Sequence, residues 1–334
     1  MPTRPPNCRT VQINMKKFLP LILVLVIIIV FLCALCGCSD ELLLYVPDGA
    51  PALSVANVIN DGKVAGQKVK TVVTTGEDVV AKCASGEADL AVLPTNAALK
   101  ICSEKDNYQI FSVNVYGVLY VVGTEQIESL ADLQGQTLLS IGLGNTPEYV
   151  FKTICDKQGV IYADANGINI KYEADASTII PQILQGKAKF ALIGEPAVTQ
   201  LISKAASQNK TVHNLFDLQK LWKDATDSDE VGYPQASMIV KKALLTDGFA
   251  EKLFQTLKNN YQFVTENASN LNALMQAAGS SLNIDYTVQI LERCNLKLVA
   301  AADAKADVEK YLGAFAAMKK FLPIKDGVIY ETGK

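Results

Sequence analysis

Residues 76–97 read GEDVVAKCASGEADLAVLPTNA, and one hundred positions later residues 176–197 read ASTIIPQILQGKAKFALIGEPA. Val79-Val80 stands where Ile179-Ile180 stands, Gly86 where Gly186, Ala88 where Ala188, and Leu90 to Leu93 where Phe190 to Ile193. Each copy has the pattern of a helix ending at a glycine cap, a short apolar strand, and a loop that opens a further helix. Both flanks keep register, so the pair reads as one unit repeated in two similar lobes.

Outward from the repeat, short apolar strands alternate with amphipathic helical stretches from residue 41 to about residue 216, the pattern of β-α-β units around parallel strands. Leu42–Val46, Lys68–Val73 and Leu90–Leu93 are predicted strands, and Thr75-Gly-Glu-Asp78 predicts a helix cap. Residues 234–241, PQASMIVK, predict one more strand. From Leu244 to Lys320 nearly everything reads as helix, with Phe249, Leu253, Leu257, Tyr261 and Val264 at core spacing. Two α/β lobes built this way face one another across a cleft, and ligands of such sheets sit beyond the carboxyl ends of the strands.

The first residues obey other rules. Met15-Lys16-Lys17 precedes an almost unbroken apolar run from Phe18 to Cys36, the form of an export signal. The run ends in Leu35-Cys36-Gly37-Cys38, which resembles the lipobox of bacterial lipoproteins and implies cleavage before Cys38 and a diacylglycerol on its sulfur. An uncleaved signal anchor is the alternative. Residues 1–14 read either as an extended leader or as residues ahead of a start at Met15. Without residues 1–37 the chain has 27 Lys and Arg against 34 Asp and Glu, a formal charge of −7, which does not invite nucleic acid. Cys83, Cys102, Cys155 and Cys294 form no Cys-x-x-Cys pair, so neither a structural zinc site nor a redox motif is indicated. Cys83 and Cys102 could bridge; buried free thiols are the simpler expectation.

The early strand ending in Pro47-Asp-Gly-Ala-Pro51, the phrases SGEADLAVLPTNAA (85–98), SLADLQGQTLLSIGLGNTPEYV (129–150) and GEPAV (194–198), and the lipobox together resemble the periplasmic-binding-protein type 2 family of ABC importers. Within it they are most similar to the nitrate, sulfonate, taurine and thiamine-pyrimidine-precursor branch. The resemblance implies an α/β fold of two lobes, each a mostly parallel sheet flanked by helices, with a helical C-terminal part. It implies a signal peptide over 1–37, a first lobe over 38–119, a second over 120–233, and a return to the first lobe over 234–334. It further implies a monomer with a small-molecule ligand, ABC permease subunits as partners, a lipid on Cys38 as the membrane attachment outside the cytoplasm, and neither cofactor nor metal. Closure is expected about hinges near Val118–Gly123 and Tyr233–Ser237.

Gly142-Leu-Gly144-Asn145-Thr146-Pro147 superficially suggests a dinucleotide loop, but Pro147 stands where that motif needs a third glycine. Instead Asn145 or Thr146 is expected to cap a helix, with Pro147 in its first turn, a capping box from Glu148 to Asn145, and free N–H groups forming an anion nest. By the resemblance this loop, Gly144, Asn145 and Thr146, lines the cleft. The other strand-to-helix turns add Gly49, Ala50 and Pro51, then Thr95 and Asn96, then Glu195 and Pro196, although Thr95 and Asn96 would also serve simply as N-caps. Tyr116, Tyr120, Tyr149 and Tyr233 are candidates for a stacking face or, more simply, rim of the core.

Arg293 alone of the arginines lies beyond residue 37, and its helical stretch is expected far from the cleft, so the bidentate fork that clamps carboxylates is expected to be missing. Helix N-termini, Thr and Asn side chains suit a sulfonate, a nitrate-like anion or a neutral heteroaromatic. Glu195 in the cleft would favour an aminopyrimidine, and these two expectations stay open. An enzyme like the fungal pyrimidine synthases, which use a histidine and iron-binding cysteines, is the rival. The single histidine, His213, reads more simply as structural, and no Ser-His-Asp set or second metal-ligating histidine exists.

Overall fold

The computed structural model describes residues 41–162, 164–226, 228 and 230–331. The expected signal peptide and the expected lipidation site, Cys38, lie outside the described residues. Numbered in chain order, the strands are β1 (Leu42–Pro47), β2 (Lys63–Val64), β3 (Gln67–Thr74), β4 (Leu90–Pro94), β5 (Tyr108–Val115), β6 (Leu119–Gly123), β7 (Thr137–Ser140), β8 (Asn169–Tyr172), β9 (Phe190–Gly194), β10 (His213–Asp217), β11 (Ala236–Lys241) and β12 (Leu296–Ala300). The helices are α1 (Ala50–Leu53), α2 (Ala56–Asp61), α3 (Gly76–Ser85), α4 (Thr95–Glu104), α5 (Thr146–Gln158), α6 (Ala176–Leu184), α7 (Ala197–Ser207), α8 (Leu218–Thr226), α9 (Asp247–Lys258), α10 (Asn260–Glu266), α11 (Ala268–Ala277), α12 (Val288–Arg293) and α13 (Ala301–Gly313). Among the described residues no helix is long and apolar enough to cross a membrane.

The strands form a seven-stranded sheet, β12-β5-β11-β4-β1-β3-β2, and a five-stranded sheet, β10-β6-β9-β7-β8. The hundred-residue repeat has a topological meaning. β4 lies between parallel β1 and antiparallel β11, and β9 lies between parallel β7 and antiparallel β6. One strand further out, β3 pairs parallel with β1 as β8 does with β7. The two antiparallel partners are exchanged along the chain. The first segment to cross into the five-stranded sheet supplies β6, and the segment that returns supplies β11.

Both sheets are covered on both faces. Leu44 and Val46 enter one apolar layer while Tyr45 enters the other, and Tyr120 and Val122 alternate in the same way with Leu119 and Val121. That two-sided burial is why these strands read as continuous apolar runs. Thr75 Oγ1 accepts from the Asp78 amide to start α3, and Gly86, at φ 81°, ends it, as the sequence predicts.

The helical tail departs from expectation twice. Residues 296–300 are an edge strand, β12, antiparallel to β5. Tyr261 is 46% exposed, although Phe249, Leu253, Leu257 and Val264 are buried. Helix α9 stops at Lys258 and α10 starts afresh, which moves the inward position to Asn260. Asn260 is buried, accepting from the Asn57 amide and donating to the Leu53 carbonyl.

Cys83, Cys102, Cys155 and Cys294 are free and buried. Burial pushes the Cys83 and Cys155 thiols up to about 12. His213 sits half-buried on edge strand β10 with its Nδ1 2.9 Å from the Gln126 side-chain amide, and it does not line the cleft described below.

Candidate functional site

The carboxyl ends of six parallel strands, β1, β3 and β4 from one sheet and β7, β8 and β9 from the other, converge on one solvent-open cleft with a cavity volume of about 150 Å³. Ligands of such sheets bind at the carboxyl ends of the strands. Its apolar wall is built from short side chains, among them Pro47, Pro94, Val118, Ile141, Ala197 and Leu282. Of the residues expected in the cleft, Gly49, Ala50, Pro51, Asn145, Thr146 and Glu195 line it. Thr95, Asn96, Gly144 and Pro196 do not.

The reasons are local. Thr95 Oγ1 pairs with buried Ser237 Oγ at 2.9 Å, which turns the hydroxyl into the seven-stranded sheet, and neither Thr95 nor Asn96 caps α4 with its side chain. Asn96 works across the lobes instead. Its Nδ2 donates to the Gly144 carbonyl at 3.2 Å, and its Oδ1 accepts from Thr146 Oγ1 at 3.2 Å. Pro196 lies behind Glu195, with its Cδ 3.8 Å from where a Cβ on Gly49 would stand. Gly49 has φ 97°, a backbone conformation that favours glycine, and a Cβ there would meet the other lobe only in ordinary contact.

The loop before α5 is a helix N-terminus with Asn145 at the cap and Pro147 inside the first turn, as the sequence predicts. The capping box between Asn145 and Glu148 is not formed. Asn145 Nδ2 donates to the Leu143 carbonyl, and Glu148 reaches one residue further back to take the Gly144 N–H. The expected anion nest therefore already holds a carboxylate of the protein itself. Burial works to raise the Glu148 carboxyl, but the Lys152 ammonium and the Gly144 N–H outweigh it and hold the group below the usual glutamate range.

The expectation that Arg293 lies far from the cleft is corrected. Its Nε donates to Glu195 Oε1 at 2.8 Å and its Nη2 to Thr199 Oγ1 at 2.9 Å, spanning from α12 to the end of β9. Glu195 also accepts from the Thr199 amide, so its carboxylate answers the first turn of α7. The linear distance of 98 residues between the partners hid this pair.

The four tyrosines do not line the cleft. Tyr233 stacks on Tyr311 at 5.3 Å and 9°, Trp222 packs against both, and Tyr149 stacks on Phe315. This aromatic cluster joins α5 and α8 to α13. Tyr120 is buried inside β6, and Tyr116 lies under the Lys297 ammonium.

The chain passes between the sheets at residues 116–118 and 232–235, narrower than the expected hinges, because Leu119–Gly123 is already paired in β6 and Ala236 onward in β11. Gln235 Oε1 accepts from the Val118 amide, and Gln219 Oε1 accepts from the Leu119 amide and the Tyr233 hydroxyl. Gly117 and Gly232, one in each crossing, adopt φ 77° and 108°.

Two turns escaped the sequence reading: Thr74–Glu77 after β3 and Ala174–Ser177 after β8. The hundred-residue repeat places Thr75–Glu77 and Asp175–Ser177 opposite one another, and that register could have found both. Gln235 and Ser281, from the return segment, complete the lining. Among the described residues no group of three or more His, Cys, Asp and Glu is arranged to hold a metal ion.

Comparison with known proteins follows the geometry. The family model "NMT1/THI5 like" matches residues 63–270. No curated protein matches significantly. Among solved structures, an ABC transporter protein from Parabacteroides distasonis is 20% identical, covers 88% of this chain and 99% of its own, and superposes with a TM-score of 0.69. The alkanesulfonate-binding protein SsuA from Xanthomonas axonopodis pv. citri, bound to MOPS, is 13% identical over 87% of this chain and 96% of its own, with a TM-score of 0.60. The periplasmic nitrate-binding protein NrtA from Synechocystis PCC 6803 is 12% identical over 87% and 84%, with a TM-score of 0.58. The chain shares their two-lobed α/β fold.

Proposed function

The chain belongs to the NMT1/THI5-like family, and from that premise we propose that it is the substrate-binding component of an ABC importer, a receptor and not an enzyme. It captures a small solute between its lobes and presents the closed form to membrane permease subunits. The observation that supports this most directly is the convergence of six strand ends, three from each sheet, on one cleft. The lobes comprise 38–119 with 234–334, and 120–233. The protein acts as a monomer outside the cytoplasm, held to the membrane by lipid on Cys38 after removal of residues 1–37.

Two ligand classes follow. The names of the solved relatives point to a sulfonate-, nitrate- or taurine-like anion. A heteroaromatic carrying amino or ring N–H groups, of the thiamine-precursor type, is favoured by the lining, which includes Asp48, Glu77, Asp175 and Glu195 but no Lys, Arg or His.

The test is a thermal-shift screen of the full chain in neutral detergent against sulfonates, nitrate, taurine, aminopyrimidines and amino acids. A ligand at a hundred times its Kd adds about 2.7 kcal/mol of stability. A shift accompanied by contraction in small-angle scattering supports the receptor reading. A panel in which no compound stabilises or contracts the protein counts against it. Mass spectrometry of membrane-extracted protein should find the lipid on Cys38, and its absence there would remove the anchor from the proposal.

A further inference from the structure

Resting on the receptor reading above, we infer that the cleft selects a small organic cation with an apolar body, and that the ligand's positive charge draws the lobes together. The site is the cavity; its carboxylates fix the class of occupant.

Four helix N-termini around the cleft carry a carboxylate of the chain itself, whereas α1 and α4 have no acidic residue in their first turn. Helix α3 carries Glu77 and Asp78 in its first turn, and α5 has the Glu148 carboxylate on the Gly144 N–H. Helix α6 is capped by Asp175, which accepts from the Thr178 amide at 3.0 Å, and α7 has Glu195 on the Thr199 amide at 3.1 Å. A helix N-terminus attracts an anion through unpaired N–H groups and its dipole, and both are answered once a carboxylate sits there. A sulfonate at any of these four N-termini would have to displace the carboxylate or lie beside it.

The charge balance points the same way. The wall includes Asp48, Glu77, Asp175 and Glu195 and no basic side chain. Arg293 is taken by Glu195, which leaves three formal negative charges among the lining residues, on Asp48, Glu77 and Asp175. Asp48 is fixed by the Gly49 amide and by Ser280 and Ser281, so it is held in place in the wall.

The distribution supplies the coupling to closure. Asp48 and Glu77 follow β1 and β3 of the seven-stranded sheet, whereas Asp175 follows β8 of the five-stranded sheet. With the cleft empty, carboxylates on the two lobes repel as they approach. A cation between them reverses the sign of that interaction, so it binds the closed form better than the open one and shifts the population toward it. The apolar wall receives the rest of the molecule.

The experiment compares probes that share an apolar body and differ in the charge of the head group: benzylammonium, benzyl alcohol and phenylmethanesulfonate, with n-butylammonium and butane-1-sulfonate as a second pair. They are titrated calorimetrically into the full chain in neutral detergent, with scattering to follow contraction. The ammonium member should bind at least roughly tenfold more tightly than its sulfonate, as expected for an ammonium near carboxylates in a partly screened site, and this preference should shrink with added salt. Asp175→Asn combined with Glu77→Gln should reduce the preference at least about threefold, and Asn caps a helix as well as Asp, so α6 should persist. A sulfonate that binds as tightly as its ammonium, or a preference unmoved by the double variant, overturns the cation assignment while leaving a receptor in place. If no probe and no solute of the wider panel binds or contracts the protein, the cation assignment and the receptor reading both fall.

Discussion

Arg293→Ala should be among the most damaging single changes at the rim of the cleft. The Glu195 side chain is 1% exposed, and its carboxylate is held by Arg293 Nε at 2.8 Å, the Thr199 amide at 3.1 Å and Thr199 Oγ1 at 2.9 Å. Removing one partner of a wholly buried ion pair costs about 3–5 kcal/mol, because the remaining charge stays desolvated. Here Arg293 is 43% exposed and Thr199 keeps both its bonds, so water can replace part of the guanidinium. The expected loss is therefore about 2–3 kcal/mol, or roughly 3–5 °C in Tm for a protein of this size. Urea unfolding at pH 7 measures it. Adding Glu195→Gln to Arg293→Ala should recover about 1–2 kcal/mol, since the orphaned charge goes with it. The reasoning fails if Arg293→Ala stays within about 0.5 kcal/mol of the parent, or if the double variant is no more stable than the single one.

Three further outcomes are expected. Glu148→Gln should cost about 1 kcal/mol at pH 7 through the charge-assisted bonds to Gly144 and Lys152. Because the folded carboxyl lies below its unfolded value near 4.3, that difference should be full above about pH 5 and vanish as pH falls through the folded value; a difference that grows on acidification would reverse the sign. Cys83, Cys102, Cys155 and Cys294 should resist a thiol reagent at pH 8 in the native protein and react once it is unfolded in guanidinium, since burial raises all four; fast labelling of any one before unfolding contradicts its burial. Gly232→Ala should destabilise by about 2–3 kcal/mol, since φ is 108° and a Cβ would stand 2.7 Å from the Tyr116 carbonyl oxygen of the other crossing; a neutral substitution in urea melts would show that the crossings can separate freely.

Legibility of the sequence followed burial. Strands such as β4 and β9, buried on both faces, announce themselves as LAVL and FALI, and the glycine after each preceding helix marks its end. The edge strands β8 and β12 were hidden because none of their positions is fully buried and a lysine interrupts each, so NIKY and LKLVA carry no long apolar run. In the cleft, turns were legible where Gly, Pro and Asn gather, as at Gly49–Pro51 and Asn145. The reach of a side chain was not. Whether Asn96 faces the cavity or the opposite lobe, and whether Arg293 meets Glu195, depends on how separate segments pack, which no local pattern encodes.

The exchange of β6 and β11 between the sheets sets the order in which the chain can be completed. The five-stranded sheet is contiguous, from Leu119 to Asp217, whereas the seven-stranded sheet begins at Leu42 and lacks β11, the strand between β4 and β5, until Ala236 has emerged. During vectorial emergence from the N-terminus, β4 and β5 are present without the strand that belongs between them for more than a hundred residues. Two buried strands then wait with unpaired edges, the condition in which chains aggregate. The second lobe is thus the natural first folding unit, and the first lobe is the part of the molecule that a holding chaperone has most reason to protect.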